Sequence, residues 1–236
     1  MRSPTESAPI LILEEATSTQ TVAAELLRDP NQKAYGAVFA HHQSAGKGRF
    51  DRFWHSVKGD SLTASLIFRE HVDHPRPWLI GMTVAVAAAS VIHARIRWPN
   101  DLVIRGKKLG GILTDMVTNL DGRRIPVVGI GINIGQSVFP EPIAEIATSL
   151  RIEGRTLYDP LQLLEAILVR LPELPNPASW GALEPAWRLF DDTPGKVFRL
   201  PSGEEAIAQG IGPNGELICA VDGETRTVLA AEAMPS

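Results

Sequence analysis

The chain has 236 residues, 44% of them hydrophobic and 21% charged, a balance that excludes intrinsic disorder, collagen-like repeats and coiled coil. Its formal charge of −4 argues against a dedicated nucleic-acid binder, which needs a basic surface to release counterions. A single cysteine, Cys219, excludes an internal disulfide. No Cys/His cluster has structural-zinc spacing, and no run approaches the ~18 apolar residues of a membrane span. These features fit a soluble protein of a reducing, cytoplasmic setting, with no membrane partner.

Residues 1–9 read as a loose tail without the apolar stretch of a signal peptide. Ile10–Leu13 is long enough for a strand. A helical pattern follows Thr17-Ser18-Thr19-Gln20 and stops before Pro30. Gly36–Ala40 is a second strand, His41–Lys58 a glycine-punctuated polar loop, and Leu62–Phe68 a third strand. Pro77–His93, rich in alanine, is the longest helix, able to pack closely on a sheet. Four strands come next, Ile96–Trp98, Leu102–Ile104, Leu109–Val117 and Val127–Ile134, with hairpin signals at Arg105-Gly106 and Asp121-Gly122. Leu161–Leu171 is an amphipathic helix ended by Pro172, Pro175 and Pro177.

Near Asp191 the pattern changes to four short β-type runs separated by Ser202-Gly203, Asn214-Gly215 and Asp222-Gly223. Residues 191–236 therefore read as a small β-barrel or sandwich leaning on a larger domain, residues 1–190. The barrel carries 3 basic and 8 acidic side chains, leaving 20 and 19 in the first 190 residues. An anionic ligand belongs in the larger domain.

Three segments carry chemistry. In His42–Trp54, two glycines frame Lys47, and Lys47, Arg49 and Arg52 fall within six residues. Glycine admits close backbone approach and the cations suit an anion, although this is neither a Walker A loop nor Gly-x-Gly-x-x-Gly. In Arg97-Trp98-Pro99-Asn100-Asp101, two polar side chains sit at a strand end, and Lys108 starts the next strand before a Gly-Gly pair that leaves room for a ligand. In Val128–Ile134, alternating glycines mark close approach of a backbone or ligand, and Asn133 is polar in a buried run. Read separately, each segment also suits a solvated turn, a surface lysine or a structural asparagine.

Together and in this order the segments resemble the biotin protein ligases. The family's Gly-Arg-Gly-Arg-x-Gly-Arg loop is similar to Gly46–Arg52, its Lys-Trp-Pro-Asn-Asp block to Arg97–Asp101, its Lys-x-x-Gly-Ile-Leu to Lys108–Leu113, and its Gly-x-Gly-Ile-Asn to Gly129–Asn133. Ser18-Thr19-Gln20 and Gln43 match further pocket positions, and the likeness runs from about residue 13 to 135. Lys47, Asp51 and Arg97 depart from the pattern, standing for arginine, glycine and lysine respectively. The family's regulatory members carry an N-terminal DNA-binding domain; with about nine residues before the first strand, a short form without DNA as partner is expected.

The resemblance implies an α+β fold, a mixed sheet flanked by helices of the class II synthetase-like, biotin/lipoate ligase type, with a small C-terminal β-barrel. It implies that biotin's carboxylate attacks the α-phosphorus of ATP to give biotinyl-5′-adenylate. A lysine of a biotin carboxyl carrier protein, as in acetyl-CoA carboxylase, then takes the biotinyl group. On this likeness Lys108 and Arg49 are catalytic. Ser18, Thr19, Gln20, Gln43, Lys47 and Gly48 join them around biotin. Lys47, Arg49, Arg52, Trp54, Asn100, Asp101, Lys108 and Asn133 border the nucleotide. Asp101 either holds a magnesium ion through water or accepts the acceptor lysine's proton. The alternatives are a lipoate or octanoate ligase and a non-catalytic biotin-responsive regulator; the assembly is a monomer or homodimer.

Overall fold

The structure, a computed structural model, describes residues 1–230, 234 and 235. The last residues of the expected C-terminal module, 231–233 and 236, lie outside the described residues, as does the side chain of Asp51.

The strands are β1 (Ile10–Leu13), β2 (Ala37–Ala40), β3 (Gly46–Lys47), β4 (Phe53–Trp54), β5 (Ser61–Ile67), β6 (Arg95–Arg97), β7 (Asp101–Ile104), β8 (Lys107–Thr118) and β9 (Arg124–Asn133). Seven of them make one mixed sheet in the order β1-β2-β5-β9-β8-β7-β6, while β3 and β4 form a separate ribbon. Only β1 and β2 pair parallel within the seven, joined by the helix α1 (Thr19–Arg28). The turn from β7 to β8 places both Arg105 (φ 49°) and Gly106 (φ 80°) in the left-handed region, the backbone that a tight two-residue hairpin requires.

The sheet is covered on both faces. Ala23 and Leu27 of α1 pack with Val38, Ile67, Val117 and Val127 on one side. The other side takes α2 (Pro77–Ile92), buried along almost its whole length, and α4 (Pro160–Arg170). Gly81 of α2 lets the helix settle on β8, since a Cβ there would lie 2.1 Å from the Thr114 hydroxyl. Asp159 caps α4 by accepting from the amides of Leu161 and Gln162, and Pro160 starts it.

Two helices are new relative to the sequence reading. The single turn α3 (Glu141–Ala144) follows Pro140, and α5 (Trp180–Arg188) contains Gly181 and Pro185, residues that argue against a helix. Burial outweighs propensity in α5: Trp180, Leu183 and Trp187 lie on its inner face, and the Trp180 ring meets Trp78 at a tilt and Trp187 edge-on. The expected loose tail is also corrected. Residues 1–9 are packed down: Ser3 is buried, the Met1 amine donates to the Leu174 carbonyl at 3.0 Å, and a Cβ on Gly36 would collide with the Pro4 carbonyl.

The C-terminal strands β10 (Val197–Arg199), β11 (Glu205–Ile211), β12 (Leu217–Val221), β13 (Glu224–Val228) and β14 (Met234–Pro235) form an antiparallel sheet in the order β13-β12-β11-β10-β14. Phe198, Ala206, Leu217 and Cys219 belong to the same buried cluster as α2 and the main sheet. Trp98 is the joint. Its indole meets Phe198 edge-on with ring centroids 5.7 Å apart, its Nε1 donates to the Gly215 carbonyl at 2.9 Å, and its amide donates to the Thr193 hydroxyl at 2.9 Å. Among the described residues no helix is long and apolar enough to cross a membrane.

Candidate active site

The alternation of β5, β8 and β9 builds a cavity on the α1 side of the sheet. On β9, Ile125 and Val127 meet α1, and the next residues on that face are Gly129, Gly131 and Asn133. The two missing side chains open a space where an unbroken apolar strand would be filled. The cavity measures about 240 Å³, and every site residue named from the sequence lines it.

Ser18, Thr19 and Gln20 supply one wall from the start of α1. Ser18 occupies the N-cap position with extended backbone, yet its hydroxyl makes no cap bond. Gln43 takes over that task, its Oε1 accepting from the Thr19 amide at 2.7 Å and the Thr19 hydroxyl at 3.0 Å. The Ser65 hydroxyl donates to Thr19 Oγ1 at 2.8 Å. Ser65 is fully buried, and with Ser61 and Thr63 it makes a polar face on β5. The sequence reading missed these three, although their alternation with Leu62, Ala64 and Leu66 marks a strand with one polar side.

The polar loop is a ribbon rather than an open turn. Gly46 and Lys47 pair with Trp54 and Phe53, the Gly48 amide donates to the Arg52 carbonyl at 2.8 Å, and the chain turns at Phe50 (φ 56°, ψ 41°). The left-handed residue is therefore Phe50, one position before Asp51. Trp54 lies on Gly131, where a Cβ would come within 2.5 Å of its ring, and its indole nitrogen is buried without a protein acceptor. Arg49 crosses the cavity, donating to Asn100 Oδ1 at 3.4 Å and to the Ala230 carbonyl, with its guanidinium 4.6 Å from the Phe50 ring centre. Burial lowers the Arg49 pKa, while nearby Asp101 works in the opposite direction.

Opposite the ribbon stand Asn100, Asp101 and Lys108. Asn100 Nδ2 donates to the Ile112 carbonyl at 2.6 Å, and the Ile112 amide returns a bond to the Asn100 carbonyl at 2.9 Å. The peptide between Trp98 and Pro99, just before this turn, is cis. A register shift between β7 and β8 pairs Val103 with Lys108 and Leu102 with Gly110. Lys108 is thereby turned toward Asp101, with Nζ 2.5 Å from Oδ1. Arg97, where the family has lysine, points elsewhere: its guanidinium pairs with Asp192 at 3.1 Å and bonds the Gly106 carbonyl.

Asn133 lines the cavity with its amide already engaged, donating to the Thr148 carbonyl at 3.0 Å and accepting from Gln136 Nε2 at 3.1 Å. Phe139, Ile143, Ile146 and Ala147 add an apolar wall from the α3 segment, which the sequence reading did not locate. The 146–148 segment is fixed to β8 because the Lys108 amide and carbonyl bond Ile146 and Thr148.

The arrangement combines a buried polar floor, apolar walls and a cationic rim, the chemistry of a site for an amphipathic carboxylic acid beside a phosphate. The model of the biotin/lipoate A/B protein ligase family matches residues 13–134. The bifunctional ligase/repressor BirA of Bacillus subtilis is 37% identical over 161 residues, 65% of this chain and 49% of that protein. The chain thus spans about half the length of that relative. The biotin--[acetyl-CoA-carboxylase] ligase of Mycobacterium tuberculosis is 30% identical over 216 residues, covering 84% of this chain and 77% of that protein. Among solved structures, the biotin protein ligase of Aquifex aeolicus in complex with biotin and ATP superposes with a TM-score of 0.72 at 24% identity, over 97% of this chain and 99% of that one. The matched span covers half of the chain and contains every site residue expected from the sequence, and on that ground the chain belongs to the biotin/lipoate A/B protein ligase family.

Proposed function

We propose that this chain is a biotin–[acetyl-CoA-carboxylase] ligase: it joins biotin to ATP as biotinyl-5′-adenylate and passes the biotinyl group to a lysine of a biotin carboxyl carrier protein. The observation that carries this reading is the 2.5 Å Lys108–Asp101 pair at one end of a cavity whose other end is the buried Ser18, Thr19 and Gln43 floor. Biotin has matching ends, a polar ureido ring and a carboxylate, separated by an apolar chain.

In the first step a carboxylate oxygen attacks the α-phosphorus and pyrophosphate leaves. Two anions must approach, so the main task of the protein is to place cations between them. Lys108 does this from β8, aimed by Asp101. Arg49 and Lys47 flank the phosphates from the ribbon, with Arg52 beside them. Arg49 is bonded by the neutral oxygens of Asn100 and Ala230, and a phosphate or carboxylate oxygen is a stronger acceptor than either. Trp54 and Gly48 shape the cover that keeps water from the hydrolysable adenylate. Asn100 and Asn133 act through the backbone they hold. In the second step the lysine amine attacks the acyl carbon and AMP leaves.

Among the described residues no group of three His, Cys, Asp or Glu side chains forms a metal site. The carboxylate of Asp101 fits magnesium arriving with ATP: it would hold the ion through water, and the ion would offset phosphate charge. Residues 1–190 hold the two substrates, and residues 191–236 support the nucleotide end through Trp98 and Arg49.

The test is ATP–pyrophosphate exchange with purified protein and either biotin or lipoate. Biotin-dependent exchange and labelling of a carrier domain are expected. Exchange with lipoate alone, or with neither acid, would overturn the proposal.

A further inference from the structure

Asp115 sits on β8 beyond the cavity lining, two residues past Leu113, on the strand face that meets α1. We infer that Asp115 is a positioning residue: it sets which end of the Gln20 carboxamide serves the ligand, and so selects an acid whose ring carries N–H donors. This inference rests on the biotin reading given above.

The argument begins with the donors of Gln20. Its Nε2 donates to Asp115 Oδ2 at 2.9 Å and to the Val127 carbonyl at 3.3 Å. A carboxylate and a carbonyl can only accept, so the nitrogen must face them, and the usual ambiguity of amide orientation is resolved by chemistry. The Gln20 oxygen is consequently turned the other way. It is buried without a protein donor, beside Gly129, where a Cβ would lie 3.3 Å from it. Gln20 itself is only 7% exposed and lines the cavity. A buried carbonyl lacking a donor is costly, and a ligand N–H removes that cost.

Gln43 has the opposite polarity. Its oxygen is taken by two donors from Thr19, so its NH₂ end is the one turned away from the helix. The two glutamines therefore offer an acceptor from α1 and a donor from the loop after β2, the complement of a cyclic urea with N–H and C=O groups. The dithiolane ring of lipoate has no N–H and leaves the Gln20 oxygen unsatisfied. Sites built around a hydrogen bond reject ligands that lack it more strongly than apolar pockets reject an added group. Val127 alone is a weaker fixture, being neutral and at longer distance; the charged acceptor is Asp115.

The experiment compares the wild-type protein, Asp115→Asn, Gln20→Ala and the double variant in biotin-dependent ATP–pyrophosphate exchange. An asparagine at 115 can offer its own NH₂ to the Gln20 oxygen, so the amide of Gln20 is no longer held one way. The expected result is a KM for biotin raised about tenfold or more, with kcat at saturating biotin and KM for ATP within about twofold of wild type. Asp115→Asn should add nothing further to KM in the Gln20→Ala background. Asp115 is exposed, so the variant should keep the wild-type melting temperature. An unchanged biotin KM overturns the inference. So does an effect additive with Gln20→Ala, or a fall in kcat that tracks lost stability. A wild-type protein with no biotin-dependent exchange instead overturns the ligase reading itself.

Discussion

Replacing Lys108 by alanine separates the contribution of this residue to stability from its contribution to rate. Nζ lies 2.5 Å from Asp101 Oδ1, but the lysine side chain is 41% exposed. An ion pair in such surroundings is worth at most about 1 kcal/mol after screening and side-chain ordering. For a chain of this size that corresponds to a loss of about 2–4 °C in Tm. The rate effect should be far larger. A cation placed against charge that develops between carboxylate and α-phosphate is worth about 2.7–4 kcal/mol, a 10²–10³-fold loss. Calorimetry and biotin-dependent ATP–pyrophosphate exchange measure the two quantities independently. A folded Lys108→Ala protein with exchange within a factor of about three of wild type, far short of the loss worked out above, would refute the placement of Lys108 between the substrates.

Further outcomes follow from close contacts and from burial. Gly131→Ala puts a Cβ 2.5 Å from the Trp54 ring; moving the ring should cost about 1–3 kcal/mol in denaturant unfolding and weaken adenylate binding, whereas an unaltered affinity would mean Trp54 has no part in that site. Trp98→Phe removes the bond to the Gly215 carbonyl. It should lower stability by about 1–3 kcal/mol and speed proteolysis within residues 191–230, which limited digestion reads directly. Burial, aided by His74, holds the His71 pKa below its ordinary 6.5. The unfolded chain therefore binds this proton first, so stability is full above that pH and falls on acidification below it; urea midpoints against pH should show a shallower fall in His71→Gln, and identical slopes would sink the assignment.

Legibility along the chain followed how local each signal was. The strands of the main sheet were readable because their apolar runs are bounded by glycine turns, and the Arg105-Gly106 hairpin is formed where its residues require it. Helix α5 was not, since its glycine and proline argue for a loop and only the burial of Trp180, Leu183 and Trp187 against other elements makes it helical. The N-terminal residues failed for the same reason: nothing local in residues 1–9 announces that Gly36 leaves a groove for Pro4. The His41–Lys58 segment contains too few apolar residues to reveal that Gly46 and Trp54 pair.

The site shows the same division at finer scale. Gly129, Gly131 and Asn133 were legible as a pattern because strand periodicity puts alternate residues on one face, and that face opens the cavity. The ordered set of motifs located Arg49, Gln43 and Gln20, yet not what holds them, because each is held by a residue distant in sequence. Arg49 is held by Asn100 and Ala230, Gln43 by Thr19, and Gln20 by Asp115. Trp98 makes the case most clearly. Its motif was read for Asn100 and Asp101, and its own side chain is fully buried and turned toward Phe198 and Gly215. Its place beside Asn100 and Asp101 means that a displacement of the C-terminal sheet must move the turn that carries those residues. Among the described residues the C-terminal segment thus acts on the Asn100–Asp101 side of the cavity through packing at Trp98 and through the Ala230 carbonyl that Arg49 meets.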